Sequence, residues 1–103
     1  MLVMSVALPI SRRKLAALCR RHHIRKLSLF GSVLRRDFRP DSDIDVLVEF
    51  EPNRVVGFRI FRIEEELSEL LGCHKVDIVN PKYLNHRLKD RILASAEVQY
   101  VER

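Results

Sequence analysis

Residues 43–50 alternate between two kinds of side chain, and this alternation constrains the fold more than any other feature of the sequence. Successive side chains of an extended strand point to opposite faces of a sheet. One face of this strand would carry Asp43, Asp45, Leu47 and Glu49. The other face would carry only apolar side chains, those of Ile44, Val46, Val48 and Phe50. The segment is therefore predicted to be a strand that packs one face on a core and presents two acids on the other.

A helix and a second strand are predicted before this segment. Ser11 is a suitable N-cap for a helix. The stripe of that helix that faces the core consists of Leu15, Leu18, Cys19 and His22. Residues 26–30 are predicted to form a short strand that ends at Gly31, and residues 32–36 a helical turn or two. Residues 37–42 are predicted to form a loop that leads into the alternating strand.

Two further helices and two strands are predicted after it. The apolar stripe of the next helix consists of Ile60, Ile63, Leu67 and Leu70. Gly72 occupies its C-terminal cap position, and residues 75–79 are predicted to form a strand that contains the isolated acid Asp77. Residues 80–81, Asn-Pro, are predicted to open a last helix, and residues 97–101 to add a short edge strand. The last helix carries Leu84, Leu88 and Ile92.

This order of elements predicts one domain of the α/β (α+β) class, spanning residues 1–103 and built on a small sheet. A composition of 47% hydrophobic and 32% charged residues is typical of a globular domain. No apolar run approaches the roughly eighteen residues needed to cross a bilayer, so no membrane association is expected. Residues 1–10 lack the basic start and the cleavage site of a signal peptide, which favours a cytoplasmic protein whose N-terminal segment packs on the core. Cys19 and Cys73 are expected to be free thiols, without a disulfide or a zinc site.

The net charge of +5 favours an anionic partner, namely a nucleotide, a nucleic acid or an acidic protein surface. Four exposed arginines of the first helix are interpreted first as a solvated face and second as a docking surface for an acidic partner. They are Arg12, Arg13, Arg20 and Arg21. Nucleic acid is the least favoured partner, because no aromatic stacking platform accompanies these arginines. The glutamates at 64–66 are predicted to face solvent, and Tyr83 and Tyr100 to pack at the edges of elements.

Gly31 and Ser32 form a candidate phosphate-binding turn between a strand and a helical turn. Glycine lets the backbone approach a ligand closely, and the start of a helix offers unpaired N–H groups and a positive dipole end. The Ser32 hydroxyl would add another donor. Arg35 lies one helical turn further on and could either reach a phosphate or pair with Asp37.

Asp43 and Asp45 form a candidate metal site. The two-residue period of a strand places both carboxylates on one face, roughly 6.5–7 Å apart along the strand. Two neighbouring carboxylates repel each other unless a cation lies between them, and oxygen ligands beside a phosphate site suit Mg²⁺. If the strand of Asp77 lies next to this one, Asp77 joins the pair as a general base or as ligand to a second metal ion.

These motifs resemble those of the minimal nucleotidyltransferases, the MNT proteins of the DNA polymerase beta superfamily. That family carries Gly-Ser, ten residues and then Asp-x-Asp, and residues 33–42 fill the same gap between Ser32 and Asp43. The strand of Asp77 matches the strand of the family's third carboxylate. The resemblance implies a polymerase-beta-like nucleotidyltransferase fold, a small mixed sheet flanked by about four helices. The chain departs from the family at Leu34 and Arg36, whose side chains either narrow the triphosphate channel or point away from it.

The resemblance also implies a function. Proteins of this kind use ATP and Mg²⁺, in a site for two metal ions, to add AMP to a hydroxyl, and they act as antitoxins of a HEPN-type toxin that they modify on tyrosine. The implied site residues are Asp43, Asp45 and Asp77 for catalysis and metal binding, and Gly31, Ser32 and Arg35 for the nucleotide. A catalytically weak antitoxin that occludes its toxin is the alternative, and a small-molecule nucleotidyltransferase is a weaker one. Whether the chain forms a homo-oligomer or a hetero-oligomer stays open.

Overall fold

The computed structural model describes residues 10–34 and 43–102, with the side chain of Ser32 excepted. Four strands form one sheet in the order β3-β2-β1-β4. They are β1 (Ile24–Phe30), β2 (Ile44–Phe50), β3 (Val76–Val79) and β4 (Glu97–Val101). β1 pairs antiparallel with β2 and with β4, whereas β2 and β3 run parallel. The sheet is therefore mixed, as expected, and the predicted edge strand at 97–101 is confirmed.

Three α-helices flank this sheet in the described part of the chain: α1 (Arg12–Arg21), α2 (Arg59–Leu70) and α3 (His86–Ser95). About four helices were expected; one of them is a 3-10 turn instead, and the last one begins later than predicted. The segment after Gly31 forms a short 3-10 turn over Gly31–Leu34. The segment that begins at Pro81 also forms only a 3-10 turn, and α3 begins after Asn85, whose side chain accepts hydrogen bonds from two backbone N–H groups of its first turn.

The core lies between the apolar face of the sheet and helices α1 and α2. Leu15, Leu18 and Cys19 of α1 are buried, as their helical spacing predicts. Ile63 and Leu67 of α2 are fully buried as well. These side chains pack against strand residues that are also buried, including Leu29, Ile44, Val46 and Val48. Ile10 packs on this core, and the rest of the predicted N-terminal packing segment lies outside the described residues.

A charged cluster joins α1 to α2 beside the core. The His22 Nε2 atom lies 3.1 Å from each carboxylate oxygen of Glu66, and Arg21 donates a hydrogen bond to the same carboxylate. That hydrogen bond is the main reason why the pKa of Glu66 is lowered, and the hydrogen bond with His22 acts in the same direction. Glu66, which was predicted to face solvent, does so only in part, because Arg21 of α1 and His22 at the C-terminal cap of α1 contact its carboxylate.

No helix within residues 10–34 and 43–102 combines the length and the apolar character that crossing a lipid bilayer would require.

Candidate active site

The sheet brings the predicted acids of two strands into direct register. Asp45 on β2 is the partner of Asp77 on β3, and on its other side Asp45 is the partner of Phe30, the last residue of β1. Ile44 and Val76, the residues before the two acids, are also partners. Because neighbouring strands lie about 4.8 Å apart, this register places Asp45 and Asp77 side by side. The condition stated for Asp77, that its strand must adjoin the Asp43–Asp45 strand, is met.

Negative charge is concentrated around Asp45. Partial burial is the main cause of its raised pKa, and the nearby charges of Asp77 and Asp43 raise this pKa further. Asp43 and Asp77 are exposed, whereas Asp45 is half-buried between them and the turn after β1. A carboxylate in such surroundings is stabilised by a cation, and a cation held there would attract the phosphates of a nucleotide.

Gly31 begins the turn that faces these acids. Its φ angle is +77°, and a Cβ atom built on it would lie 2.5 Å from the Oδ2 atom of Asp45. Only glycine combines that backbone angle with so close an approach. Val33, two residues on, is buried in the core and anchors the turn, so the turn cannot easily move away from Asp45.

Leu34 belongs to the same turn and is half-buried against the hydrophobic core. Of the two arrangements considered for this bulky residue, the structure therefore favours the one in which its side chain points away from the nucleotide channel. Arg36, the other departure from the family pattern, lies outside the described residues.

Replacing Gly31 with alanine is expected to lower both stability and nucleotidyl transfer. The added Cβ would collide with the Asp45 carboxylate, and the positive φ angle would strain an alanine backbone by about 1–2 kcal/mol. The free energy of unfolding by urea and the initial rate of transfer would measure the two effects. Gly57 is the matched control, because its φ is +53° but a Cβ there would meet nothing within 4 Å. A Gly31→Ala variant that transfers at the rate of Gly57→Ala would show that the approach to Asp45 has no role.

Some of the residues predicted to bind the nucleotide lie outside the part of the chain that the structure describes. Arg35 and the predicted loop at 37–42 lie outside the described residues, as does the Ser32 hydroxyl. Their assignments to the nucleotide therefore stay predictions. Within residues 10–34 and 43–102, no group of three or more histidine, cysteine, aspartate or glutamate side chains is arranged to hold a metal ion by itself. Any ion bound by the acids would need further ligands, and the phosphate oxygens of a nucleotide are suitable ones.

Sequence reasoning missed an exposed cluster of large apolar side chains, which we call the aromatic patch. Its members are Val55, Phe58, Phe61 and Tyr83. Tyr83 is 80% exposed, so the prediction that it packs at an element edge is wrong, whereas Tyr100 does pack against the core. One signal was present in the sequence: Phe58 and Phe61 are three residues apart and lie off the buried stripe of α2, which places both on a second face of that helix.

Comparison with known proteins agrees with this arrangement. The family model for the polymerase beta nucleotidyltransferase domain matches residues 13–102. A protein of Thermococcus cleftensis named protein adenylyltransferase MntA is 36% identical over 81 residues, which cover 79% of this chain and 78% of that protein. The solved structure of a candidate minimal nucleotidyltransferase is 40% identical, has a TM-score of 0.69, and is matched over 82% of this chain and 85% of its own.

A more distant structure shows the same fold in a complex. It contains a tri-AMPylated HEPN toxin of Shewanella oneidensis bound to an MNT antitoxin. The matching chain is 19% identical and has a TM-score of 0.62 over 88% of this chain and 70% of its own. The model match over residues 13–102 decides the assignment: the chain belongs to the polymerase beta nucleotidyltransferase family and is an enzyme of the minimal nucleotidyltransferase type.

Proposed function

We propose that the chain is an antitoxin that transfers AMP from ATP to a tyrosine hydroxyl of a HEPN-type toxin. The observation that carries the proposal is the register of β2 and β3, which pairs Asp45 with Asp77 directly beside the turn at Gly31. A phosphate-binding turn next to clustered acids is the arrangement that nucleotidyl transfer needs. The relative named protein adenylyltransferase supports AMP as the group transferred and a protein as the acceptor.

The carboxylates fit Mg²⁺, since all three offer hard oxygen ligands. Burial, and after it the charges of Asp77 and Asp43, raises the pKa of Asp45, and a cation would offset both effects. In the proposal Asp43 and Asp45 hold the ion, and the phosphates of ATP complete its ligands. When bound, Mg²⁺ would neutralise charge on the triphosphate. Asp77 is proposed either as a ligand of a second ion or as the general base.

The chain's own groups would bind and orient the reactants. Backbone N–H groups of the Gly31–Leu34 turn would hold phosphate oxygens, and the Ser32 hydroxyl and the Arg35 guanidinium are proposed to assist them. The acceptor oxygen would attack the α-phosphorus as the bond to the β-phosphate oxygen breaks and pyrophosphate leaves. In its role as base, Asp77 would take the proton of the acceptor hydroxyl.

The name of the relative also supports a protein as the acceptor. Residues that could bind the triphosphate lie on β2, β3 and the turn after β1. The complex of an AMPylated HEPN toxin with an MNT antitoxin, which shares this fold, supports the choice of partner. Since ATP is the proposed donor, the reaction would take place in the cytoplasm, the compartment that the sequence predicts.

A transfer assay tests this proposal. The chain would be incubated with Mg²⁺, α-labelled ATP and its proposed HEPN-type partner, in parallel with the Asp43→Asn variant. We expect label on the partner with the wild-type chain only, and mass spectrometry should locate it on a tyrosine. Changing that tyrosine to phenylalanine would be the matched control on the partner side and should remove the label.

The same assay distinguishes catalysis from occlusion. If the wild-type chain leaves the partner unlabelled while the Asp43→Asn variant still protects cells from it, the chain neutralises its partner by binding alone and the enzymatic proposal is wrong.

A further inference from the structure

Two members of the aromatic patch, Val55 and Tyr83, line a cleft that the proposed reaction does not use. The cleft has a volume of about 730 Å³, and its apolar side chains come from the end of β2, the β2–α2 connection, α2, β3 and the turn after β3. They include Val55, Val56, Ile60, Ile78 and Tyr83. Val55 in its wall is 93% exposed. Phe58, the neighbour in sequence of the lining residue Gly57, is 88% exposed, and its ring stacks on that of Phe61 with centroids 6.3 Å apart. Large apolar side chains exposed beside a cleft are typical of an interaction site.

Two cations line the cleft, Arg54 and Lys82, and two more lie beside it on α2. The four are Arg54, Arg59, Arg62 and Lys82, all of them exposed. None of the ion pairs found in the described part of the chain involves any of these four side chains. The single acid in the cleft wall, Glu51, is half-buried and lies 3.9 Å from the Nδ1 atom of His23.

The charges of α2 point to a role outside the helix. Arg59 and Arg62 occupy its N-terminal half, and its four glutamates follow them, with no acid in the first turn and no basic residue in the last. The helix dipole favours the opposite order, with acids first and cations last. The two arginines therefore interact unfavourably with the helix dipole. Contact with an anionic partner would offset this unfavourable interaction.

The cleft is separate from the clustered acids. Strand alternation places Phe50 and Ile78, which line the cleft, on the face of the sheet opposite to that of Asp45 and Asp77. A molecule bound in the cleft would therefore leave the acids accessible to nucleotide.

We propose that the aromatic patch is the docking site for the acceptor protein, and that it binds an amphipathic segment of that protein. Apolar side chains of the segment enter the cleft, and aspartates or glutamates at its edges face Arg54, Arg59, Arg62 and Lys82. The proposal rests on the proposed function in one respect, namely that the docked protein is the one that receives AMP. The acceptor protein would be held on the face of the sheet that carries the cleft, while its acceptor hydroxyl reaches Asp45 and Asp77 on the opposite face.

The chemistry of the cleft favours a protein over single-stranded RNA. Proteins that bind single strands present aromatic faces on which bases stack, within a cationic groove. Here aliphatic side chains, from Val55, Val56, Ile60 and Ile78, outnumber the aromatic rings among the apolar residues of the wall. Aromatic and arginine side chains around an apolar centre are the composition that protein interfaces prefer.

Binding measurements with the full chain test this docking site. The probe is the proposed HEPN-type partner, and affinity would be measured by calorimetry. We expect Phe58→Ala together with Phe61→Ala to weaken binding at least about 30-fold, and Arg59→Glu together with Arg62→Glu to weaken it at least about tenfold. All four side chains are exposed, so these variants should melt at the wild-type temperature.

The matched control reverses two arginines elsewhere, Arg13→Glu with Arg20→Glu on the exposed face of α1. It changes the net charge by the same amount as the α2 reversal, and we expect less than a threefold loss of affinity. A loss with the α1 variant but not with the patch variants would overturn the proposal in favour of α1. Unchanged binding of all variants, or no binding of the wild-type chain, would overturn it as well.

Two further readouts separate the docking site from its alternatives. If the patch variants lose affinity for a labelled 20-residue oligouridine but keep their affinity for the protein, the surface binds nucleic acid and the docking proposal is wrong. If the wild-type chain binds the protein through the patch but transfers no AMP to it, docking is supported and the proposed function alone fails.

Discussion

Replacing Asp45 with asparagine is expected to lower the rate of nucleotidyl transfer by about 10³-fold, because the central carboxylate of the site loses its charge while its shape is kept. Asp45 lies between Asp77 and Gly31, so no other described acid can take its place. Initial rates with labelled ATP would measure the loss. Glu49→Gln is the matched control, since Glu49 lies on the same face of β2 but further along the strand, and it should change the rate less than twofold. A rate for Asp45→Asn above one tenth of the wild-type rate would rule out the acids as the reaction centre.

The same substitution is expected to stabilise the protein at neutral pH. Burial and the charges of Asp77 and Asp43 raise the pKa of Asp45, so the folded protein binds this proton more tightly than the unfolded chain does. Stability therefore falls as the pH rises from the ordinary aspartate value through the raised pKa, because the ionised carboxylate is disfavoured in the fold. Asparagine does not ionise, and the Asp45→Asn variant should melt above the wild type at pH 7. The difference should shrink at pH 3, and an equal difference at both pH values would contradict this explanation.

Replacing Leu67 with alanine is expected to destabilise the fold by about 2–5 kcal/mol, a large part of the stability of a small domain. Leu67 is fully buried where α2 packs on the sheet, so the smaller side chain would leave a cavity. Urea denaturation monitored by circular dichroism would measure the change. Leu88→Ala is the control, because Leu88 on α3 is 47% exposed and its replacement should cost less than about 0.5 kcal/mol. Equal losses for the two variants would show that α2 does not anchor the core.

The strands and the first two helices were predictable because their patterns are long and regular. The alternation in residues 43–50 predicted β2, and helical spacing predicted the buried side chains of α1 and α2. The region after β3 was less predictable, since a proline that can begin an α-helix can equally begin a 3-10 turn. Here Asn85 competes as an N-cap and places the start of α3 at His86.

The candidate site was predictable in part. Spacing alone placed Asp43 and Asp45 on one face of a strand, but the position of Asp77 depended on which strands are neighbours. The pairing of β2 with β3 depends on the crossover through α2, because this helix packs on the sheet and allows β3 to run parallel to β2. The contact of Gly31 with the Asp45 carboxylate also depends on tertiary structure, because it joins the end of one strand to the side chain of the next.

Under the two proposals above, the crossover between β2 and β3 places catalysis and partner recognition on different parts of the chain. Backbone hydrogen bonds between the strands set the spacing of Asp45 and Asp77, whereas the aromatic patch lies mainly in the connection and the first turns of α2. Substitutions among the exposed residues of 52–62 would therefore alter which partner is recognised while the spacing of the acids stays the same. Under the proposed function, an antitoxin with this architecture could keep binding a toxin whose sequence diverges. Only its exposed surface would change, while its catalytic acids would stay the same.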